Sequence, residues 1–365
     1  MSKLRDILLD LRHAAADVVR GAPQGLGRGA GKRFAPFESG GVTVQCHSQW
    51  PTDVGLIAEW DELSRCAPGG TALHSPAWQA AAFSGSGAKK LRLITVQGEK
   101  LLAVIPMQLS PAGGLGTIAP WMVDYLDPLM AADAGRRVWP AVLGFIASQW
   151  DRRVTEVVLH NVRAAAAVRG ELPAIAPECG FSVEEAVVDH APSIELRPTW
   201  EGYLASLDAH ERKETRRKVK KAEEKGAGKL VRGDSGALVE ALRLMELAEG
   251  AKGKTVRRYL RPLLMTAGPA LMAAGRLEVL TLEIEGKAAG CLIQFPTPAG
   301  PMLYNSGLDP AMKEWSPGVV AVAMAIREAI GRGEKRYDLL RGREPYKYRL
   351  GATDQALYRL TLRKR

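Results

Sequence analysis

The stretch LEVLTLEIEGKAAGCLIQF, residues 277–295, is where the fold can first be read. Two apolar-rich runs flank a short Gly286-Lys287 turn, the pattern of two antiparallel strands joined tightly. Earlier in the chain LRLITVQ (91–97) and LLAVIPMQLS (101–110) stand on either side of Gly98-Glu99-Lys100 in the same way. The order continues alike after each hairpin. The first is followed by MVDYLDPLM, a helical stretch ending near Trp150, and the strand TEVVLHN; the second by MLYNSGLDPAM, the helix SPGVVAVAMAIREAIG, and the strand KRYDLLRG. Asp127-Pro128 and Asp309-Pro310 hold corresponding places, each about 30 residues before the next strand. A chain of 365 residues exceeds the usual size of one domain. Two weakly similar copies of one α/β unit account for that length.

The rest of the chain fits around this repeat. VTVQCH (42–47) alternates like a strand, and TDVGLIAEWDELSRC (52–66) reads as a helix capped by Thr52 or Asp53. In SPAWQAAAF, Ser75 stands at a cap position and Pro76 at the first helical residue, where its missing N–H costs nothing. The opening segment, residues 2–20, repeats Leu4, Ile7, Leu8, Leu11, Ala15, Val18 and Val19 at helical spacing. Its basic residues suit an anionic membrane surface, but Asp6, Asp10 and Asp17 oppose that, so docking on protein is the stronger expectation. The Gly- and Pro-rich stretch 22–41 reads as a linker. It is not a phosphate-binding loop, because Leu26 stands in place of the first glycine and Arg33 in place of the Ser or Thr.

The net charge of +10 favours anionic partners, such as phosphates, nucleic acid or an acidic surface. Much of it gathers in HERKETRRKVKKAEEKG (210–226), a helix connecting the two copies. There Arg212 with Arg216, and Lys213 with Arg217 and Lys221, form i,i+4 stripes. Asp208–Arg212 and Glu214–Lys218 can pair along it, so a self-balanced solvated helix competes with a cationic wall beside a phosphate-bearing ligand. Cys46, Cys66, Cys179 and Cys291 are far apart, which excludes a zinc motif or a disulfide framework and points to reduced thiols in a cytoplasmic protein. No apolar run is long enough to span a membrane.

Chemistry is expected in two places. Ser316-Pro317-Gly318 opens the helix after the second hairpin. Ser316 can cap it, and Gly318 lets a ligand approach free N–H groups that favour a phosphate. The second place is YDLLRGREPYKYRLG, residues 337–351. Asp338 sits within a short apolar strand on the face of Leu340, where an unpaired carboxylate is expensive. It either pairs with a nearby arginine or is tuned for proton transfer, and the ion pair is the simpler reading. Pro345 argues for a loop past the strand end, the position where open α/β sheets bind ligands.

The order hairpin, LYNSGLDP, WSPG-helix, strand and YDLLRGREPYKYRLG resembles the acyltransferases of the GNAT superfamily. The branch it is most similar to is the CelD-like or BioF2-like acetyltransferases, related to the FemAB transferases. The resemblance runs from about Val42 to the C-terminus and includes SPAW, IPMQL, VDYLD and the 211–226 helix. It implies a duplicated GNAT-like fold, with a first domain at 42–200, the basic helix at 201–230 and a second domain at 231–365. It also implies acetyl-coenzyme A or another acyl-coenzyme A as donor, no metal, and an amine acceptor, with a polysaccharide or cell-envelope precursor as the expected kind. The FemAB relatives imply an aminoacyl-tRNA donor as the alternative, and the basic helix would also suit RNA held without catalysis. Only WSPG matches the glycine-rich turn that typically holds the coenzyme's pyrophosphate. A Trp expected mid-chain is replaced by EGAKGKTVRRYL (249–260).

Acyl transfer needs a base for the amine proton, N–H groups for the developing oxyanion, and an acid for the leaving group. The candidate bases are Asp338 and Glu344, and the candidate acids Tyr346 and Tyr304. Asp124, beside Tyr125, is a further candidate from the first copy. Donor phosphates would be met by Ser316, Gly318, Arg341, Arg343 and Lys347.

Overall fold

The computed structural model describes residues 34–88, 90–110, 113–132, 134–149 and 154–365. The amphipathic segment 2–20 and Trp150 lie outside them. The chain forms two compact units, one running to Asp189 and joined by Ala356–Arg365, the other His190–Gln355.

The first unit is built on β1 (Phe37–Ser39), β2 (Val42–His47), β3 (Leu91–Gln97), β4 (Leu101–Leu109), β5 (Gly114–Thr117), β6 (Leu129–Met130), β7 (Glu156–Arg163), β8 (Phe181–His190) and β15 (Ala356–Lys364). They form one sheet in the order β1-β2-β3-β4-β5-β7-β15-β8, with β6 on β4. Pairing is antiparallel except between β5 and β7. Along β3, Leu91 and Leu93 face one core with Trp60, Leu63 and Phe83, while Ile94 and Val96 face another with Trp139, Val142 and Phe145. Both faces are covered, which is why these strands read as nearly continuous apolar runs. The helix Val54–Cys66 is capped by Asp53, whose carboxylate accepts from the Leu56 N–H at 2.8 Å. Ser75 caps the helix Pro76–Gly85 as expected. The end of the presumed linker is itself structured. Phe37–Ser39 pairs with Val42–Val44 across Gly40 and Gly41, both at positive φ, and Phe37 packs edge-on against Phe145.

The second unit holds β9 (Ser193–Glu195), β10 (Lys229–Gly233), β11 (Glu278–Ile284), β12 (Lys287–Phe295), β13 (Met302–Leu308) and β14 (Arg336–Asp338), in the order β10-β11-β12-β13-β14-β9. The helix Pro317–Gly331 buries Val320, Ala323, Ile326 and Ile330 with Leu280, Leu282, Leu292 and Leu303. On the other helical layer, Ser235–Glu246 comes so near β13 that a Cβ on Gly307 would lie 2.5 Å from the Met245 nitrogen.

The repeat is thus present in three dimensions. A hairpin (β3–β4 or β11–β12) is followed by a third strand (β5 or β13), a helix (Gly135–Gln149 or Pro317–Gly331), and a strand parallel to the third (β7 or β14). This is a mixed α/β, duplicated GNAT-like fold. A division at 200 and 231 runs straight along the chain, whereas the units exchange segments: residues 190–200 lie in the second unit and 356–365 in the first. The alternation in ALYRLTLRK specifies a strand but not the sheet it joins.

Candidate active site

The third and fourth strands of the second repeat meet only briefly. β13 and β14 are parallel, yet their register contains the single pair Met302–Asp338. That meeting depends on Gly300, at φ 133°, where a Cβ would lie 1.8 Å from the Arg336 carbonyl oxygen. Past Met302, residues 303–308 continue along β12, and among the described residues no strand pairs with their other edge. The register of β12 and β13 shifts between Ile293 and Gln294, which are opposite Asn305 and Leu303, so Tyr304 is the extra residue of a β-bulge. Tyr304, Asn305 and Ser306 are all half-buried, between buried Met302–Leu303 and buried Gly307, and Leu308 at the end of the strand is exposed. An edge strand offers unpaired main-chain N–H and C=O groups, and a bulge re-aims them. Asn305 and Ser306 were not picked out from the sequence, where three polar residues in a row simply weaken the strand pattern.

β13 leads through the turn Pro310–Trp315 to the helix start, which differs from expectation. Ser316 has left-handed backbone (φ 51°, ψ 50°) and its side chain makes no cap bond. Its carbonyl instead accepts from the Val319 and Val320 N–H groups at 3.0 and 3.1 Å. Pro317 has no N–H, so the Gly318 N–H is the one left without a backbone acceptor among the described residues. A Cβ at Gly318 would meet the Leu308 side chain at 3.3 Å, which ties this helix start to the far end of β13. The basic helix Ala209–Gly226 reaches the same turn. Lys221 donates to the Glu314 carbonyl at 3.0 Å and lies 4.6 Å from the centre of the Trp315 ring. Much of the remaining charge on this helix is matched: Arg216 with Glu201, Arg217 and Lys218 with Glu214, Lys220 with Glu224.

The stretch 338–351 leaves β14 as a tightly braced turn. Asp338 is buried; its Oδ1 accepts from the Leu340 N–H at 2.8 Å and its Oδ2 lies 3.7 Å from Arg336 Nη2, the expected local arginine. That bond supports Leu340, a buried leucine at φ 53°. Lys347 does not face a ligand. It is 3% exposed, and its Nζ donates to the carbonyls of Leu340, Arg341 and Gly342 at 3.1, 3.0 and 3.1 Å, with the Glu344 carboxylate 3.0 Å away. An ammonium has three donors, and the three carbonyls account for them. The sequence GREPYKYRLG is not all loop either, since Pro345–Arg349 forms a short helix with Pro345 at its first residue, the one helical place where proline fits.

The other candidates fall around this turn. Arg343 is exposed but engaged: its Nη2 pairs with Asp354 at 3.1 Å and its Nε donates to the Tyr348 hydroxyl, which donates to Asp354. Arg341 is half-exposed, and Glu344 presents its carboxylate at the surface beside Lys347. Burial, then the nearby Glu344 charge, push the Tyr346 hydroxyl up to about 12, so it is protonated at neutral pH. The cleft at the opposite, N-terminal end of β13 is lined by Arg232, Glu278, Arg332 and Glu334, and these pair through Glu328 and one another.

Asp124 lies in the first unit and is buried there. In that unit the equivalent of the open edge is filled by the chain itself. Beyond Thr117, where β5 ends, residues 118–127 take its place along β7. The Asn161 amide donates to the Pro120 and Val123 carbonyls at 2.7 and 2.8 Å, and the Leu126 N–H donates to the Asn161 carbonyl. Asp127 accepts from the Arg163 N–H at 2.6 Å and pairs with its guanidinium. Asp309, its counterpart in the sequence, only caps the turn at Ala311.

The hairpin, the strand through LYNSGL, the helix opened by Ser316-Pro317-Gly318 and the strand entering YDLLRG follow one another in the order on which the GNAT resemblance rests. The family model for the acetyltransferase (GNAT) domain matches residues 209–348, which span the basic helix, β13, the Ser316 turn and the Lys347 clamp. The chain carries a GNAT acetyltransferase domain. By that domain it is an acyltransferase. Among solved structures, FemX is similar in fold, with a TM-score of 0.56 at 11% identity over 83% of this chain and 95% of that one. A conserved protein of unknown function from Bacteroides thetaiotaomicron gives 0.53 at 15% identity, over 84% and 97%. The C-terminal domain of a putative lysylphosphatidylglycerol synthetase from Agrobacterium fabrum gives 0.52 at 8%, over 84% and 90%. These likenesses concern the fold. No curated protein matches the sequence.

Proposed function

We propose that the second unit transfers an acyl group, acetyl in the simplest case, from an acyl-coenzyme A to an amine, with the donor laid along the open edge of β13. The observation that carries this is the separation of β13 from β14 after the single pair Met302–Asp338, which leaves residues 303–308 with an unpaired edge leading to the Gly318 N–H. The edge groups can bond the amide-bearing arm of the donor, and one N–H there can receive the oxyanion that develops on the acyl carbonyl. The Gly318 N–H, at the positive end of a 15-residue helix, suits the donor's phosphates, with Lys221 anchored beside it. Tyr304, on the bulge, is the candidate acid for the leaving thiolate. Glu344 is the exposed carboxylate of the turn and the stronger candidate for taking the amine proton. Asp338 is engaged with Leu340 and Arg336, and half-exposed Arg341 is the candidate cation for donor or acceptor charge.

The first unit, closed by its own residues 118–127, is then not the donor-binding copy. An aminoacyl-tRNA donor of the FemAB kind has less support, because four of the eight cations of the basic helix pair with Glu201, Glu214 and Glu224 and a fifth, Lys221, is held on the Glu314 carbonyl. Isothermal titration separates the two donors. Acetyl-coenzyme A should release heat with the wild-type chain and at least tenfold less affinity should remain in Gly318→Asp, which sets a carboxylate against the donor's phosphates. No heat with the coenzyme, or tight binding of charged tRNA alone, overturns the reading.

A further inference from the structure

The second unit also presents a surface that its chemistry does not use. It runs from the helix Ser235–Glu246 through Ala251–Thr255 and the π-helical turn Val256–Leu260 to the helix Arg261–Ala273. The two longer helices lie side by side, close enough that a Cβ on Gly268 would come within 2.7 Å of Leu238. Their inward residues, Leu238, Leu242 and Met245 on one and Leu264, Ala267 and Leu271 on the other, are buried. Their outward residues are unusual. Val239 (47% exposed), Leu247 (39%) and Met265 (42%) are three of the four large apolar side chains most exposed in this unit among the described residues. Val239, Arg243 and Leu247 follow at i, i+4 and i+8.

Charge is concentrated between these apolar residues. From Ala248 to Arg261 the chain reads AEGAKGKTVRRYLR, with five basic residues and one acidic residue. Two of the five brace the fold: Arg257 donates to the Glu246 carbonyl at 3.3 Å and Arg261 pairs with the Glu246 carboxylate at 2.5 Å. Lys252, Lys254 and Arg258 are exposed, and among the described residues none has a carboxylate partner. Arg258 lies 5.1 Å from the centre of the Tyr259 ring. Cations without carboxylate partners cost nothing in water, but three of them beside protruding aliphatic side chains match one kind of counterpart. Nucleic acid is met by cations together with aromatic platforms, and Tyr259, half-buried, is the one aromatic ring in this stretch. An anionic lipid surface is met by cations together with aliphatic side chains that enter the headgroup layer.

We infer that the surface formed by Val239, Leu247, Lys252, Lys254, Arg258 and Met265 docks the protein on an anionic membrane. A cation near such a surface contributes about 1 kcal/mol, or about fivefold in partitioning, and aliphatic insertion adds an increment that salt does not screen. Docking of this kind is peripheral and reversible; among the described residues no helix is long and apolar enough to cross a bilayer. The inference stands apart from the choice of acyl donor.

Co-sedimentation of the full chain with vesicles tests it. Vesicles of phosphatidylcholine containing phosphatidylglycerol should pellet the protein, and vesicles of phosphatidylcholine alone should not. The triple variant Lys252→Glu, Lys254→Glu, Arg258→Glu should lose at least tenfold in partitioning. Lys90→Glu, Arg136→Glu, Arg137→Glu, which alters the net charge equally on the first unit, should stay within about twofold of wild type. Leu247→Ser with Met265→Ser should weaken the binding that persists at high salt. No pelleting with anionic vesicles, equal pelleting with neutral ones, equal losses in the two triple variants, or single-stranded RNA displacing the vesicles from this surface would each overturn the proposal.

Discussion

Replacing Lys347 by Met removes the charge and keeps most of the volume, which isolates what the ammonium does. In the native turn its Nζ satisfies three successive carbonyls, Leu340, Arg341 and Gly342, at 3.0–3.1 Å while 3% exposed. Each carbonyl left buried without a donor costs about 1–3 kcal/mol, though water can reach those of half-exposed Arg341 and Gly342. The lost ion pair with Glu344 adds little, because that carboxylate is 55% exposed. The net loss should be about 3–5 kcal/mol, the range found when one partner of a buried charged contact is removed. Leu340 would be freed as well, since its left-handed backbone costs about 1–2 kcal/mol unless held. Urea unfolding measures the stability, and hydrogen exchange of residues 340–344 locates the change. Lys347→Arg should fall between wild type and Met, because a planar guanidinium cannot point three donors at three converging carbonyls. A loss below about 1 kcal/mol for the Met variant, with exchange at 340–344 unchanged, would refute the assignment of Lys347 as a clamp.

Other consequences are as direct. Gly300→Ala should destabilise the second unit by about 3 kcal/mol or more, since a Cβ cannot coexist with the Arg336 carbonyl 1.8 Å away; thermal unfolding close to wild type would show that β13 and β14 do not meet there. Burial pushes the Cys46 and Cys291 thiols up to about 12, whereas Cys66 is exposed, so iodoacetamide at pH 8 should label Cys66 and spare the other two until the chain unfolds. Mass spectrometry of the labelled peptides reads this, and early labelling of Cys291 would contradict it. The same raised groups, with Tyr346, bind protons in the native state that the unfolded chain gives up from about pH 8.5–10. Stability from them is complete below that range and is lost as pH rises toward about 12, so the urea midpoint should fall steadily above about pH 9. A midpoint constant to about pH 10.5 would mean these groups ionise as freely as in the unfolded chain.

The repeat was legible because a hairpin is a local event. Alternation and a Gly turn specify β3–β4 and β11–β12 without reference to the rest of the chain, and caps such as Asp53 and Ser75 are fixed within four residues. Strand exchange between the units was not legible, because ALYRLTLRK carries no mark of the sheet it enters. In the candidate site, the sequence located the turn at 338–351 but misjudged its charges. Lys347 and Arg343 look available in a row of basic residues; only the folded turn shows one pointing inward at carbonyls and the other held by Asp354. Ser316 has the composition of a helix cap, yet its left-handed backbone turns the hydroxyl away from that duty. The open edge of β13 could not be read at all, since it is defined by a strand that stops pairing after one residue.

Hydrogen exchange with and without saturating acetyl-coenzyme A tests the central claim most directly. The expected result is slower exchange at residues 303–308 and at 317–320 of the second unit, with residues 114–128 of the first unit unchanged. Protection at 114–128 in place of 303–308, or no protection in either unit, would contradict it.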